Sequence, residues 1–448
     1  MEVGGCRRLF DYEASVSDNK GGCDELEMVQ IVFLTVLMFF VIVTVHEWGH
    51  YYFAKRAGIL VREFAIGFGP KLFSYKRGET QFTLRLLPFG GYARMAGEDP
   101  ELVEIHPGQT IAVRVKDGEV KKIYLDQLDN RKNVIRGEVE FIDLTDSLKI
   151  RLDVDGETQQ FPIHPQAMLV AKSQETQIAP RDRQFASKTV GQRAMSIFAG
   201  PLMNFILAFI LFGVHLQMAG IPIENPTYIV IGNVTKGMPA DEANLKKGDI
   251  IETVDGVSIG ADYEKMIDMT AKSEGKPMKW TIRRGEEVFN VTLTPRQMEG
   301  QEGGKIGISP AFPTRKAGFG ETFTGAGKDM VNTTKIIFQG FGQLIKQFNM
   351  DDIGGPVRTF EVTGQIAKQG IVQLTQWAAI LSLYLGIFNL LPIPAMDGSR
   401  LVFLGVEAVR GKPIDPSREG MVHFVGFAML FLLMIAVTYN DILRLING

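Results

Sequence analysis

The chain has 448 residues, 45% of them apolar, and a formal net charge of −3; it is long enough for several domains but too polar to be a bundle of membrane helices alone. The near-neutral balance, and the lack of a basic tract with interleaved aromatics, speak against a nucleic-acid partner. Both cysteines, Cys6 and Cys23, lie in the N-terminal tail, so the body contains no CxxC pair and no cysteine zinc site.

Residues 1–27 carry scattered charges and Gly4, Gly5, Gly21 and Gly22 without the apolar stretch of a signal peptide, so they are expected to form a disordered tail, with Met28 as a natural start. Charge-free apolar runs then occur at 29–45, 194–223, 371–396 and 420–440. Each approaches or exceeds the ~17–25 residues that cross a bilayer as a helix, which predicts four transmembrane helices within segments 28–57, 188–223, 371–400 and 420–448. Lys55, Arg56, Arg62, Lys71, Lys76 and Arg77 follow the first run, Lys188 and Arg193 precede the second, and Arg400, Arg410, Lys412 and Arg418 follow the third. By the positive-inside rule these flanks are cytoplasmic, which puts both termini and the 224–370 region outside, with 401–419 a cytoplasmic loop.

Between the runs, 58–97 reads as two strands around a "KRGE" turn, with Gly67 and Gly69 of "GFGP" leading in and Gly90 and Gly91 closing it. So apolar a hairpin beside the first span is expected to associate with the membrane, and its open edge suits an extended peptide that adds a strand. Residues 98–187 alternate in polarity between turn signals and predict a β-rich cytoplasmic insert. In the external region, "GMPADEANLKKGDIIETVDG" resembles a PDZ domain over 224–300; a linker and amphipathic segment over 301–370 follows.

The chemistry concentrates in "HEWGH". On a helix, His46 and His50 are stacked on one face, where both imidazoles reach one metal ion, and Glu47 projects from the same turn. This is the HExxH pattern of zinc hydrolases, whose carboxylate takes a proton from water and passes it to the leaving amine. A run of ~26 Å of helix from Val29 puts His46 near the cytoplasmic side of the hydrocarbon layer. The third run arrives at that side with "NLLPIPAMDG", where Pro392 and Pro394 break the helix just before Asp397, the candidate third ligand. An Asp-Gly turn residue is the other reading of Asp397.

Taken in order, "HEWGH", "GFGP", "AGPLMNF", the PDZ-like region and "NLLPIPAMDG" resemble the site-2 protease family (M50) of intramembrane zinc metalloproteases, in particular the bacterial branch that includes the regulator of sigma-E protease. The resemblance implies a polytopic α-helical membrane protein in which His46, His50 and Asp397 bind Zn2+ and Glu47 is the catalytic base. It implies that Asn389 lies beside the scissile peptide and donates to its oxyanion, with Gly67, Gly69, Gly90 and Gly91 in the substrate-binding hairpin. It also implies substrates that are single-pass membrane proteins already shortened by a first protease, such as anti-sigma factors or signal-peptide remnants, met in membrane lipid. Gly200, Pro201 and Asn204 match a second-span motif near the site, where Gly200 also serves close helix packing. Met396 stands where the family more often has leucine, a single PDZ-like unit replaces the two of some relatives, and those relatives lack the 98–187 insert. His106, His164, His215 and His423 read as structural, and "DDIGGP" as a loop breaker or a substrate-positioning segment. A PDZ scaffold without activity and a transporter are the rival readings; the inverted repeats of a transporter are not seen. Oligomeric state is left open.

Overall fold

The computed structural model describes residues 19–98, 105–171, 174–223, 226–297, 303–311, 313–347 and 353–447. The expected disorder of residues 1–18 lies outside the described residues. The chain divides into two compact units, Met1–Phe212 with Gly327–Gly448 and Gly213–Ala326.

In the first unit, helix α1 (Asn19–Arg56) begins nine residues before Met28, so the expected tail is shorter than predicted. No proline interrupts 19–27, and a helix already nucleated in the apolar run propagates back through them, Gly21 and Gly22 weakening it by about 1 kcal/mol each without ending it. The chain then enters β1 (Val61–Arg77) and β2 (Thr80–Met95), joined at the expected turn. The result is more than a simple hairpin. Ala65 pairs with both Tyr92 and Thr83, and Ile66 with both Gly91 and Leu84, so the two strands bend and pair twice. Four runs result, in the order 91–95, 61–66, 81–84, 71–77. The bends fall where Gly67, Gly69 and Gly90 take φ of 85°, 84° and 70°, a region closed to most side chains. Phe64 and Phe82 set this sheet against Tyr51 of α1, each ring 5.6 Å away.

The insert folds as β3 (Thr110–Lys116), β4 (Glu119–Tyr124), β5 (Ile135–Asp143), β6 (Lys149–Val154), β7 (Glu157–Ala171) and β8 (Gln174–Gln177). Its order is β4-β3-β5-β6-β7-β8, and a parallel β4–β7 pairing closes the sheet on itself around Ile111, Val113, Val120, Ile123, Ile150 and Leu152. Closure of this kind protects strand edges.

Helix α2 (Val190–Ala219) leads into the second unit. There β9 (Ile221–Pro222) is followed by β10 (Ile229–Val234), α3 (Pro239–Glu242), β11 (Ile250–Val254), β12 (Val257–Ser258), α4 (Tyr263–Lys272), β13 (Met278–Arg284), β14 (Glu287–Leu293), β15 (Ile308–Ala311) and β16 (Thr314–Arg315). The main sheet runs β14-β13-β11-β10-β15 over a core that includes Trp280, Ile231 and Ile282. The domain therefore extends past the expected boundary at residue 300, because β15 supplies the edge partner of β10. β16 pairs with β9, so the chain leaves beside the point where it entered.

The expected linker over 301–370 contains helices α5 (Phe319–Lys346) and α6 (Pro356–Gln369). The third span is α7 (Ile371–Leu390), which ends short of residue 400 because Pro392 and Pro394 cannot continue it. The expected 401–419 loop is largely helical: α8 (Asp397–Arg410) precedes α9 (Pro416–Asn447). Four stretches, Met28–Arg56, Val190–Ala219, Ile371–Leu390 and Arg418–Arg444, are long and apolar enough to cross a membrane. On α9, Phe424 is 72% exposed and Leu432 65%, an apolar surface that water would penalise and lipid would not.

The turn between β1 and β2 is tied to the insert. Glu79 accepts hydrogen bonds from Arg183 Nη2 at 2.7 Å, Gln177 Nε2 at 2.9 Å and Gln166 Nε2 at 3.3 Å, and Lys55 Nζ lies 3.8 Å away. Burial pushes this carboxyl upward, but the hydrogen bonds from Arg183 and Gln177 and the charges of Arg183 and Lys55 outweigh it and hold it below the usual range. A carboxylate depressed in the folded state stabilises the fold above its ordinary pKa of about 4.3, and that contribution is lost as pH falls through the lowered value. Glu79→Gln should accordingly speed hydrogen exchange severalfold in β8 at neutral pH. Corrected for the intrinsic pH dependence of exchange, wild type should lose the same protection only on strong acidification, where the variant's protection factors should fall no further.

Candidate metal centre

His46 and His50 project from one face near the C-terminal end of α1, their rings edge to face with centroids 4.8 Å apart. Asp397, the first residue of α8, meets them. His46 Nε2 lies 3.2 Å from His50 Nε2, and Asp397 Oδ2 lies 3.3 Å from the first and 3.4 Å from the second. A tetrahedral zinc with ligands at 2.0–2.1 Å separates its donors by about 3.3 Å, so these three atoms occupy three corners of such a site. Asp397 Oδ2 is buried and has no hydrogen-bond donor among the described residues. Lone pairs brought this close together fit a cation.

The other ring nitrogens determine which lone pairs face inward. His50 Nδ1–H donates to the Ser196 carbonyl at 2.9 Å, leaving Nε2 as the acceptor. His46 Nδ1 lies 3.3 Å from the Asn204 side-chain amide, whose Oδ1 has no other partner among the described residues. With the amide turned so that Oδ1 faces the ring, His46 Nδ1–H donates to it and Nε2 is again free. Ser382 Oγ donates to the Asn204 carbonyl at 2.9 Å, fastening α2 to α7 at this level. Gly200 makes the approach of α2 possible: a Cβ there would lie 2.2 Å from His50 Nε2 and 2.9 Å from His46 Cε1. Helix α8 is held in turn by the Arg193–Glu407 pair to α2, with Nη1 3.0 Å from Oε2, and by Arg400 pairing with Glu98.

Glu47 is buried beside the two histidines, and the 91–95 run passes against it, since a Cβ on Gly91 would lie 2.8 Å from Glu47 Cγ. His46, Glu47, His50 and Asp397 open onto a cavity of about 540 Å³ that Gly69, Gly91 and Asn389 also line. Gly67 and Gly90 occupy the bends of the sheet. Asn389 Nδ2 donates to the Leu385 carbonyl at 3.0 Å in this state. Among the described residues the 91–95 run pairs only with 61–66, so its other edge is unpaired. Sequence reasoning missed Ser196, which acts through its backbone carbonyl and leaves no trace in residue type. Asn204 was visible only as part of a motif.

The profile of Peptidase family M50 matches residues 34–433. The zinc metalloprotease RasP of Geobacillus kaustophilus is 44% identical over 422 residues, covering 93% of this chain and 99% of the relative. The regulator of sigma-W protease RasP of Bacillus subtilis is 41% identical over 423 residues, with coverages of 93% and 99%, and the probable protease eep of Enterococcus faecalis is 38% identical over 417 residues, with 91% and 98%. Such coverage leaves too few residues unmatched to omit the 98–187 insert, so these relatives carry it. The solved PDZ domain of an SdrC-like protein from Listeria monocytogenes aligns with 20% of this chain and 94% of its own at 18% identity, with a TM-score of 0.18, too low to carry a fold argument. The chain belongs to peptidase family M50 and is a zinc metalloendopeptidase.

Proposed function

We propose that the enzyme cleaves transmembrane segments of single-pass membrane proteins already shortened by another protease, with zinc held by His46, His50 and Asp397 and with Glu47 as base. The observation that carries this reading is the set of three buried donors 3.2–3.4 Å apart, opening beside Glu47 onto a cavity with an unpaired strand edge. Zinc held by these three residues would lower the pKa of a water to near neutral and act as a Lewis acid on the scissile carbonyl. The Glu47 carboxylate accepts the proton of the attacking water and delivers it to the departing amine. Asn389, freed from Leu385, donates its amide to the carbonyl oxygen as charge builds there.

A helical substrate hides its backbone, so it must unwind before cleavage. The 91–95 edge receives it as an added strand; Gly67 and Gly90 let the sheet bend to present that edge, and Gly69 and Gly91 keep the path beside it free of side chains. Cationic flanks orient the site toward the cytoplasmic face, with both termini and the 224–370 region outside and the insert inside. The external PDZ-like domain then serves as a size filter that rejects substrates with an intact outer domain. The Bacillus subtilis relative is named as a regulator of sigma-W, which supports an anti-sigma factor as substrate.

Glu47→Gln should retain one zinc per chain while cleavage of a model transmembrane substrate falls by about a hundredfold or more; loss of zinc, or surviving cleavage, would defeat the base assignment. Gly200→Ala should abolish stoichiometric zinc, read by elemental mass spectrometry, because the new methyl occupies the space of the His50 ring.

A further inference from the structure

Six residues, 391–396, separate α7 from α8, and their conformation determines where Asp397 points. Met396 N–H donates to the Ile393 carbonyl at 3.0 Å, closing a four-residue turn with Pro394 and Ala395 at its centre. Ala395 has a φ of +76°. Proline at the second position and positive φ at the third define a type II turn, in which the third position ordinarily belongs to glycine. An alanine there is strained, and the unstrained alternative is a type I turn, with the 394–395 peptide flipped by roughly half a rotation.

The interaction that opposes the flip comes from the last span. Ala395 N–H donates to His423 Nδ1 of α9 at 3.2 Å, a bond that a flipped peptide would lose. Helix α9 approaches closely enough because residue 426 is glycine: a Cβ there would lie 2.1 Å from Pro394 Cβ. His423 is itself oriented, its ring edge-on to Phe403 of α8 at 5.5 Å. With Nδ1 accepting, its proton resides on Nε2, 3.7 Å from Glu419 Oε1. Ser399 Oγ donates to the Met396 carbonyl at 2.7 Å and binds the start of α8 to the end of the turn. The chain from His423 to Asp397 is thus one hydrogen bond and two residues of backbone, Ala395 at strained positive φ and Met396 extended.

We propose that His423 is a positioning residue for Asp397: as the acceptor of the Ala395 N–H it holds the 394–395 peptide in its strained orientation and so aims the carboxylate at the histidine pair. This rests on the reading of Asp397 as a zinc ligand. His423 touches neither substrate nor metal; it acts through the turn.

The test uses the full chain in detergent and compares wild type with His423→Ala, His423→Asn, Asp397→Ala and the double variant His423→Ala, Ala395→Gly, measuring zinc retained against a chelator and kcat and KM on a model transmembrane substrate. His423→Ala should lose zinc about tenfold faster, as loss of a group that orients a ligand does, and lower kcat with KM little changed. His423→Asn keeps an acceptor oxygen at the place of Nδ1 and should restore most of both. The double variant should also recover, because glycine holds positive φ unaided. If Asp397→Ala binds zinc like wild type, the ligand assignment fails. If Asp397→Ala loses zinc while His423→Ala retains it and turns over normally, the ligand stands and the positioning role is overturned. Equal damage from alanine and asparagine, with no recovery in the double variant, overturns it as well.

Discussion

Three electron-pair donors held within 3.4 Å of one another at the end of an apolar helix form an arrangement that repels itself unless a cation sits among them. Much of the surrounding architecture serves to hold them there. Helix α1 supplies two donors by spacing alone. The third comes from almost the other end of the chain, so α2, α7, α8 and α9 must be fixed relative to α1 with little tolerance. Gly200 lets α2 lie against the imidazoles, the Ser196 carbonyl and Asn204 set their ring orientation, and the Arg193–Glu407 pair holds α8 along its length. Where an ion pair is buried in this way its value is chiefly geometric, since desolvation offsets much of the attraction.

The parts of this site legible in the sequence were those governed by local periodicity. His46 and His50 share a face because four residues make about one helical turn, and Asp397 could be matched to them by counting membrane depth. The charged flanks and four apolar runs likewise depend on composition within a short window. What escaped depends on contacts between distant segments. That the two strands after α1 pair twice cannot be read from their residues, because alternation specifies a face and not a partner. Prolines 392 and 394 predicted a break after the third apolar run, but a break says nothing about what resumes, and the 401–410 part of α8 was read as loop because it lies in the charged flank. β15 was assigned to a linker because a four-residue edge strand carries too little pattern to register.

The two β-structures of the first unit treat their edges differently. The insert closes on itself through the β4–β7 pairing, while among the described residues the sheet beside α1 leaves the 91–95 edge unpaired, in a run that lines the same cavity as Glu47. An unpaired edge is ordinarily an aggregation hazard, and proteins keep one when they need it. Here it lies in a partly enclosed cavity rather than on the surface, which limits what can reach it.

The bonds at Glu79 have a mechanical consequence. Glu79 immediately precedes β2, and Gly91 lies further along that same strand, so the anchor of the insert and the wall of the reaction cavity are two points on one continuous stretch of backbone. Between the two points the strand crosses from one side of the 61–66 run to the other, bending at Gly90 on the way. The contacts that fasten the insert and the residues that wall the cavity beside Glu47 therefore belong to a single strand, with only the crossing between the 81–84 and 91–95 runs separating them.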